Sequence, residues 1–201
     1  MDSISECTKV STDRRTVLVT GSSGYLGQHL LSSLLNASDL DIDIIAMYGS
    51  LDSFSVADYN SNNNGSRVVE KVALDLSNAA AVSDFMSELK KKRSIDVLVH
   101  LAAISSPAVC ERDPATAMAV NCPKYLIHSL PAETTIVFLS TDQVYDGKSA
   151  ELYMETDDAT PCNVYGRSKL AFERFLMKCR PDKSVCLRSS IILGPITPHA
   201  C

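Results

Sequence analysis

What most restricts this chain is a set of strand-length apolar runs, rich in β-branched residues and nearly continuous, that recur at wide intervals. They cover Thr16 to Thr20, Ile42 to Met47, Val68 to Ala73, Ile95 to Ala102, Thr134 to Ser140 and Ser184 to Ser189. A strand with one wet face alternates apolar and polar residues. These runs do not, so both faces are expected to be covered, as in a parallel sheet. Helical patterns fill most of the intervals, over Gly24 to Asn36, Ser77 to Arg93, Pro114 to Leu130 and Asn163 to Cys179. In the second of these, Ala81, Val82, Phe85, Met86 and Leu89 recur at helical spacing. Strand and helix in alternation predict an α/β fold with a doubly wound parallel sheet. The polar, Asn-rich stretch Ser50 to Ser66 breaks the alternation and reads as a surface loop. Lys90 to Arg93 reads as a solvated helix end, where cations oppose the helix dipole.

Composition narrows the partners. The 201 residues are 45% hydrophobic and 21% charged, which suits one domain, or one domain plus a fragment of a second, that needs neither metal nor disulfide. Nineteen basic against 24 acidic residues give a net charge of −5, which argues against nucleic acid or an anionic membrane as the main partner. No run approaches the roughly 18 to 20 apolar residues of a membrane helix. The longest, Ile95 to Ile104, contains Asp96 and His100. The seven cysteines form no C-x-x-C pair and no metal-like spacing with histidine, so they read as reduced thiols in a cytoplasmic setting, with no metal expected. Residues 1–15 include Asp2, Glu6 and Asp13, lack the basic and apolar segments of a secretory signal, and read as a loose tail before a domain at 16–201.

Directly after the first strand stands Gly21-Ser-Ser-Gly24-Tyr-Leu-Gly27, and the next helix begins inside it. Glycine at these places lets the chain turn sharply, brings backbone amides against a pyrophosphate and lets the helix pack closely on the strand. Its position after VLVT, with further strand and helix units following, points to a dinucleotide. An acidic residue ending the second strand would accept the ribose hydroxyls of NAD, and a basic one would favour the extra phosphate of NADP. Tyr48-Gly49-Ser50 is neither, so both cofactors stay open. Asp75, just past the third strand, is placed either to hydrogen-bond an adenine edge or to cap the following helix.

Tyr165 and Lys169 lie four apart in a helical stretch, on one face, with Cβ atoms roughly 5 to 6 Å from each other. A nearby ammonium favours phenolate and is expected to lower the tyrosine's pKa, suiting it to general acid work near neutral pH. The fifth strand runs into Ser140-Thr141-Asp142-Gln143-Val144-Tyr145 at the sheet edge where open α/β sheets bind ligands. There the Thr141 hydroxyl is placed to hydrogen-bond a substrate carbonyl and to help stabilise oxyanion charge. The plainer alternative is that Thr141 and Asp142 only make a turn.

The Gly21 to Gly27 turn, Leu101-Ala102-Ala103, Val120-Asn121, STDQVYDG from Ser140 and YGRSK from Tyr165 together resemble an extended short-chain dehydrogenase/reductase over residues 16 to about 196. The STDQVYDG stretch is similar to the dTDP-4-dehydrorhamnose reductase branch, which also includes the regulatory β subunit of methionine adenosyltransferase. The resemblance implies an NAD(P)-binding Rossmann fold in which Thr141, Tyr165 and Lys169 form a catalytic triad. The tyrosine would protonate a carbonyl oxygen as hydride arrives from the nicotinamide, and the lysine would also hold the nicotinamide ribose. The resemblance also implies Gly21, Ser23, Gly24, Tyr25, Leu26 and Gly27 at the pyrophosphate, and Asp75 and Leu76 at the adenine. Leu101, Ala102, Ala103 and Asn121 would line the inner cleft, and Ser105 would join Thr141 at the substrate. His100 reads as packed structure. Members of this family continue well beyond the sixth strand, in residues that build most of the sugar-nucleotide pocket, so the expectation is a dinucleotide half with the C-terminal substrate-binding region truncated. Two functions follow: an NAD(P)-dependent reductase of a keto group on a nucleotide-linked deoxysugar, or a non-catalytic, cofactor-binding regulatory subunit. Pairing with a second copy or with a larger enzyme stays open.

Overall fold

The computed structural model describes residues 14–49 and 67–196. The expected loop at Ser50 to Ser66 and most of the expected tail lie outside the described residues. Among those residues six strands form one sheet: β1 (Arg15–Thr20), β2 (Ile42–Tyr48), β3 (Arg67–Ala73), β4 (Val97–His100), β5 (Thr135–Thr141) and β6 (Ser184–Ser189). Their order is β3-β2-β1-β4-β5-β6, and every pairing is parallel. The helices are α1 (Tyr25–Asn36), α2 (Ala79–Lys92), α3 (Pro107–Arg112), α4 (Pro114–Asn121), α5 (Lys124–Ser129) and α6 (Val164–Cys179). This is the doubly wound Rossmann arrangement, with its change of strand order between β1 and β4, where a crevice opens at the carboxyl ends of the strands.

Both faces of the central strands are covered, which is why their sequences do not alternate. On one face Leu18, Ile45, Leu98, Ile136 and Phe138 pack against Val82 and Met86 of α2, Leu126 of α5 and Phe172 and Leu176 of α6. On the other, Val17, Val19, Ile44 and Ala46 meet Leu31 and Leu35 of α1. Each such side chain contributes roughly 1.5 to 3 kcal/mol by leaving water, so the sheet is a rigid base for whatever its carboxyl edge holds. Coverage is uneven at β6. Cys186 packs on the helical side, whereas Val185 and Leu187 on the opposite side are 51% and 50% exposed.

The elements depart from the sequence reading in four places. The single helix expected over Pro114 to Leu130 is broken into α4 and α5. Pro123 has no amide to donate and pushes Cys122 out of the helical region, to φ −131° and ψ 62°. Helix α3 was not anticipated; Ser106 caps it and Pro107 opens it, the one helical position where a missing amide costs nothing. β4 is shorter than the expected Ile95 to Ala102, because Leu101 and Ala102 turn away into the crevice. Finally, β1 begins at Arg15, one residue before the expected start, and the Arg14 guanidinium is 2.6 Å from Asp41 and 3.1 Å from Asp43. No helix among the described residues is long and apolar enough to cross a membrane.

Candidate active site

The glycine turn joins the end of β1 to the start of α1, and close approach dictates its residues. Gly21 has φ +70°, a left-handed conformation, and a Cβ there would lie 2.7 Å from the Ala102 nitrogen. At Gly27 a Cβ would overlap the Gly21 carbonyl oxygen and come within 2.8 Å of the Ser22 Cα, both backbone atoms that cannot swing aside. Ser22 ties the turn to β2, its amide and hydroxyl both donating to the Met47 carbonyl at 3.0 and 2.8 Å. The Gln28 side chain donates to the Ser23 carbonyl at 2.8 Å and closes the turn from inside. Gly24 is the N-cap of α1 and supplies no capping side chain, so the first-turn amides face the crevice with the positive end of the helix dipole behind them.

That crevice is continuous across the switch point, in two adjoining lobes of about 510 and 690 Å³ that share Gly21, Gly24, Leu101 and Ala103. The larger lobe runs past Ser23 and Ala102 to Gly49, Asp75 and Leu76. Asp75 does not cap α2. It accepts from the Ser77 amide and hydroxyl at 2.8 Å each, while Asn78 takes the capping position by accepting from the Ala81 amide. The smaller lobe runs past Tyr25, Leu26 and Gly27 to Ser105, Thr141, Tyr165 and Lys169.

Tyr165 reaches that lobe because the first turn of α6 lies against the turn after β5. A Cβ at Gly166 would overlap the Gln143 carbonyl oxygen, so the glycine inside Tyr165-Gly-Arg-Ser-Lys169 sets the distance between helix and strand end. Asn163 fixes the same junction, accepting from the Gly166 amide at 2.7 Å and donating to the Gln143 side chain at 2.8 Å. Burial pushes the half-buried Tyr165 phenol up from its ordinary pKa, and the neighbouring Thr141 hydroxyl acts in the opposite direction. The expected lowering by Lys169 is not found. Lys169 is itself buried, donates to the Leu139 carbonyl at 2.7 Å, and has its Nζ 6.0 Å from the Tyr165 ring centre. Desolvation pushes this ammonium down to about 8, partly countered by Glu173. Spacing put the two side chains on one face, but burial decides the sign. The result is a neutral phenol, with its proton available, beside a lysine that titrates close to neutrality.

The family described as "RmlD substrate binding domain" matches residues 15–198. The chain belongs to that family. It is 33% identical over 129 residues to a dTDP-4-dehydrorhamnose reductase of Streptomyces griseus, across 63% of this chain and 41% of that protein. It is 37% identical over 103 residues to methionine adenosyltransferase 2 subunit beta of Danio rerio, across 50% of this chain and 31% of that protein. Among solved structures, the dTDP-4-dehydrorhamnose reductase of Clostridium acetobutylicum superposes with a TM-score of 0.63 at 28% identity, over 86% of this chain and 52% of that one. The chain therefore spans about half the length, or less, of these proteins.

For this family member, the residues singled out in the sequence gather along one crevice, with one exception. Asn121 was expected to line the inner cleft, but it is fully buried in the wall behind it. Its side chain accepts from the Ile104 amide at 2.8 Å and donates to the Ile104 carbonyl at 3.1 Å and to the Ser168 hydroxyl at 2.9 Å. It therefore clamps the cleft-lining Ile104 to α6. Turned inward, its amide meets three polar partners and holds the wall of the cleft in place. His100 is packed structure, bonded to the Thr20 hydroxyl at 2.7 Å and held neutral, its pKa driven down to about 3 by burial and by the charge of Lys169. Sequence reasoning missed Gln143, Asn163 and Gly166 at the junction, and Glu173 and Arg188 beneath Lys169. The last two left a trace: Arg188 interrupts an otherwise apolar strand, and Glu173 continues the Tyr165, Lys169 face by another turn.

Proposed function

We propose that the crevice takes a nicotinamide dinucleotide, which would be the reductant, and that Thr141, Tyr165 and Lys169 promote beside it the reduction of a keto group of a nucleotide-linked deoxysugar. The carrying observation is the continuity of the crevice, from a glycine turn with open amides at one end to the tyrosine, threonine and lysine at the other. The turn suits the group: Gly21 and Gly27 exclude side chains, and a helix N-terminus favours an anionic diphosphate. Gly21, Ser23, Gly24, Tyr25, Leu26 and Gly27 would hold the diphosphate. Asp75 and Leu76 would border the adenine, and Leu101, Ala102 and Ala103 the middle of the cleft. Neither an acid nor a base among the described residues ends β2, so the reading admits NADP or NAD.

When bound in its reduced form, the nicotinamide supplies hydride. Tyr165, kept protonated by burial, donates its proton to the carbonyl oxygen as negative charge develops there. The Thr141 hydroxyl orients the carbonyl and shares that charge. Lys169 would hold the nicotinamide ribose, and Ser105, exposed at the rim, would meet the substrate. The free thiols of Cys110, Cys122, Cys162, Cys179 and Cys186 suit a reducing, cytoplasmic setting.

Purified chain supplied with NADH or NADPH and keto-sugar nucleotides should turn over. Tyr165→Phe should reduce the rate by roughly 10²- to 10⁴-fold while dinucleotide binding persists. Absence of any turnover that depends on Tyr165 overturns the catalytic reading. Binding without turnover would support instead a cofactor-binding regulatory subunit of a larger enzyme, the reading that the match to the Danio rerio subunit favours.

A further inference from the structure

Beneath Lys169 lies a buried ionic cluster that the sequence motifs do not contain. Glu173, one turn further along α6, is 4% exposed. It accepts from Arg188 through Nε at 3.1 Å and Nη2 at 2.6 Å, and from the Ser140 hydroxyl. Ser140 and Arg188 are register partners across β5 and β6, so one carboxylate ties both strands to the helix. Lys169 donates to the carbonyl of Leu139, the residue before Ser140. The end of β5 is thus stitched to α6 at two successive residues, and the next residue is Thr141. The free arm of Arg188 donates to the Tyr145 hydroxyl at 2.5 Å, and that hydroxyl donates to the Met154 carbonyl at 2.8 Å.

A buried ion pair is a poor source of net stability, because desolvation offsets most of the attraction. Its placement therefore asks for another reason. We propose that Glu173 is a positioning residue for Lys169: gripped by Arg188 and Ser140, its carboxylate anchors the lysine's turn of α6 to the end of β5 and supplies the counter-charge behind the ammonium. Among the described residues, the titratable groups around this cluster are His100 from β4, Asp142 just after β5, Cys186 and Arg188 from β6, and Tyr165 and Glu173 from α6 itself. His100 is neutral, burial pushes the Cys186 thiol up to about 11, and of the two carboxylates it is Glu173 whose charge raises the Lys169 pKa. The inference rests on the proposed function only for what Lys169 would hold. Its test uses the free chain, so the two can fail separately.

The test is an NMR titration of ε-¹³C-lysine in the whole chain, with the Lys169 signal assigned by its loss in Lys169→Met. Wild type should titrate near 8. Glu173→Gln should move the midpoint down by about one unit or more, because the ammonium loses its counter-charge. Glu173→Asp should restore most of the difference. A paired variant, Glu173→Gln with Arg188→Met, leaves Lys169 without its counter-charge but orphans neither member of the Glu173–Arg188 pair, and should fold even if the single variant does not. It too should lower the midpoint, though by less, because the Arg188 cation leaves together with the carboxylate. A structural role alone would loosen the packing and move Lys169 up, toward an exposed lysine. An unchanged or raised midpoint in either variant overturns the proposal, and so does a wild-type midpoint below about 6, which would mean no anion supports the ammonium.

Discussion

Replacing Lys169 by methionine should stabilise the protein while disabling the site. The lysine is 2% exposed, and burial lowers its ammonium from 10.5 to about 8. Keeping it charged at pH 7 therefore costs about 3 kcal/mol. Methionine removes that cost, fills nearly the same volume, and gives its sulfur to the Phe138 ring that Nζ now faces at 4.6 Å. It loses the hydrogen bond to the Leu139 carbonyl, about 1 kcal/mol net. Glu173 keeps Arg188 as its partner, so no charge is orphaned. The balance is a gain of about 2 kcal/mol, or a Tm higher by about 4 to 8 °C for a domain of this size. The gain must also depend on pH. Because the folded-state value lies below the unfolded one, the unfolded chain binds more protons between pH 8 and 10.5. Wild-type stability therefore rises with pH through that window, and the variant lacks this rise. Melting both proteins at pH 7 and pH 10, followed by circular dichroism, should show a gap at pH 7 that has mostly closed at pH 10. A variant less stable at pH 7, or a gap equal at both pH values, would refute the reasoning.

Two further substitutions test the walls of the crevice. Gly27→Ala forces a methyl group against the Gly21 carbonyl and the Ser22 Cα; it should cost about 1 to 3 kcal/mol in chemical denaturation and abolish dinucleotide binding measured by fluorescence titration. Asn121→Ala leaves the Ile104 amide without its buried partner and the Ile104 carbonyl with only the Cys110 thiol; it should lower stability by about 1 to 3 kcal/mol and raise the hydrogen-exchange rate of the Ile104 amide.

The sheet was legible because continuous β-branched runs have one economical destination, a strand covered on both faces, and the run at Thr16 became β1 nearly residue for residue; the run at Ser184 became β6, an edge strand covered on one side only. The glycine turn was legible because Gly21 and Gly27 stand where nothing larger fits. Less was readable where a residue's meaning depends on depth. Tyr165 and Lys169 are neighbours by helical spacing, but only their burial reveals that the phenol shifts up and the ammonium down. Asn121 looked like a cleft residue beside Val120, and the structure turns it inward to Ile104 and Ser168. Glu173 and Arg188 are 15 residues apart in the chain and meet only when α6 packs on β6, so no local pattern joins them. Pro123 breaks the helix although the apolar pattern continues across it, so periodicity alone does not show the break.

The most direct test of the central claim is a thermal titration with NADPH and with NADH, comparing wild type with Gly27→Ala. If the amides opening α1 receive a dinucleotide's diphosphate, at least one of the two should raise the wild-type Tm progressively, approaching about 2.7 kcal/mol of added stability at a hundredfold excess over Kd, and should leave the variant unmoved. A wild-type Tm indifferent to both dinucleotides, or an equal shift in Gly27→Ala, would contradict it.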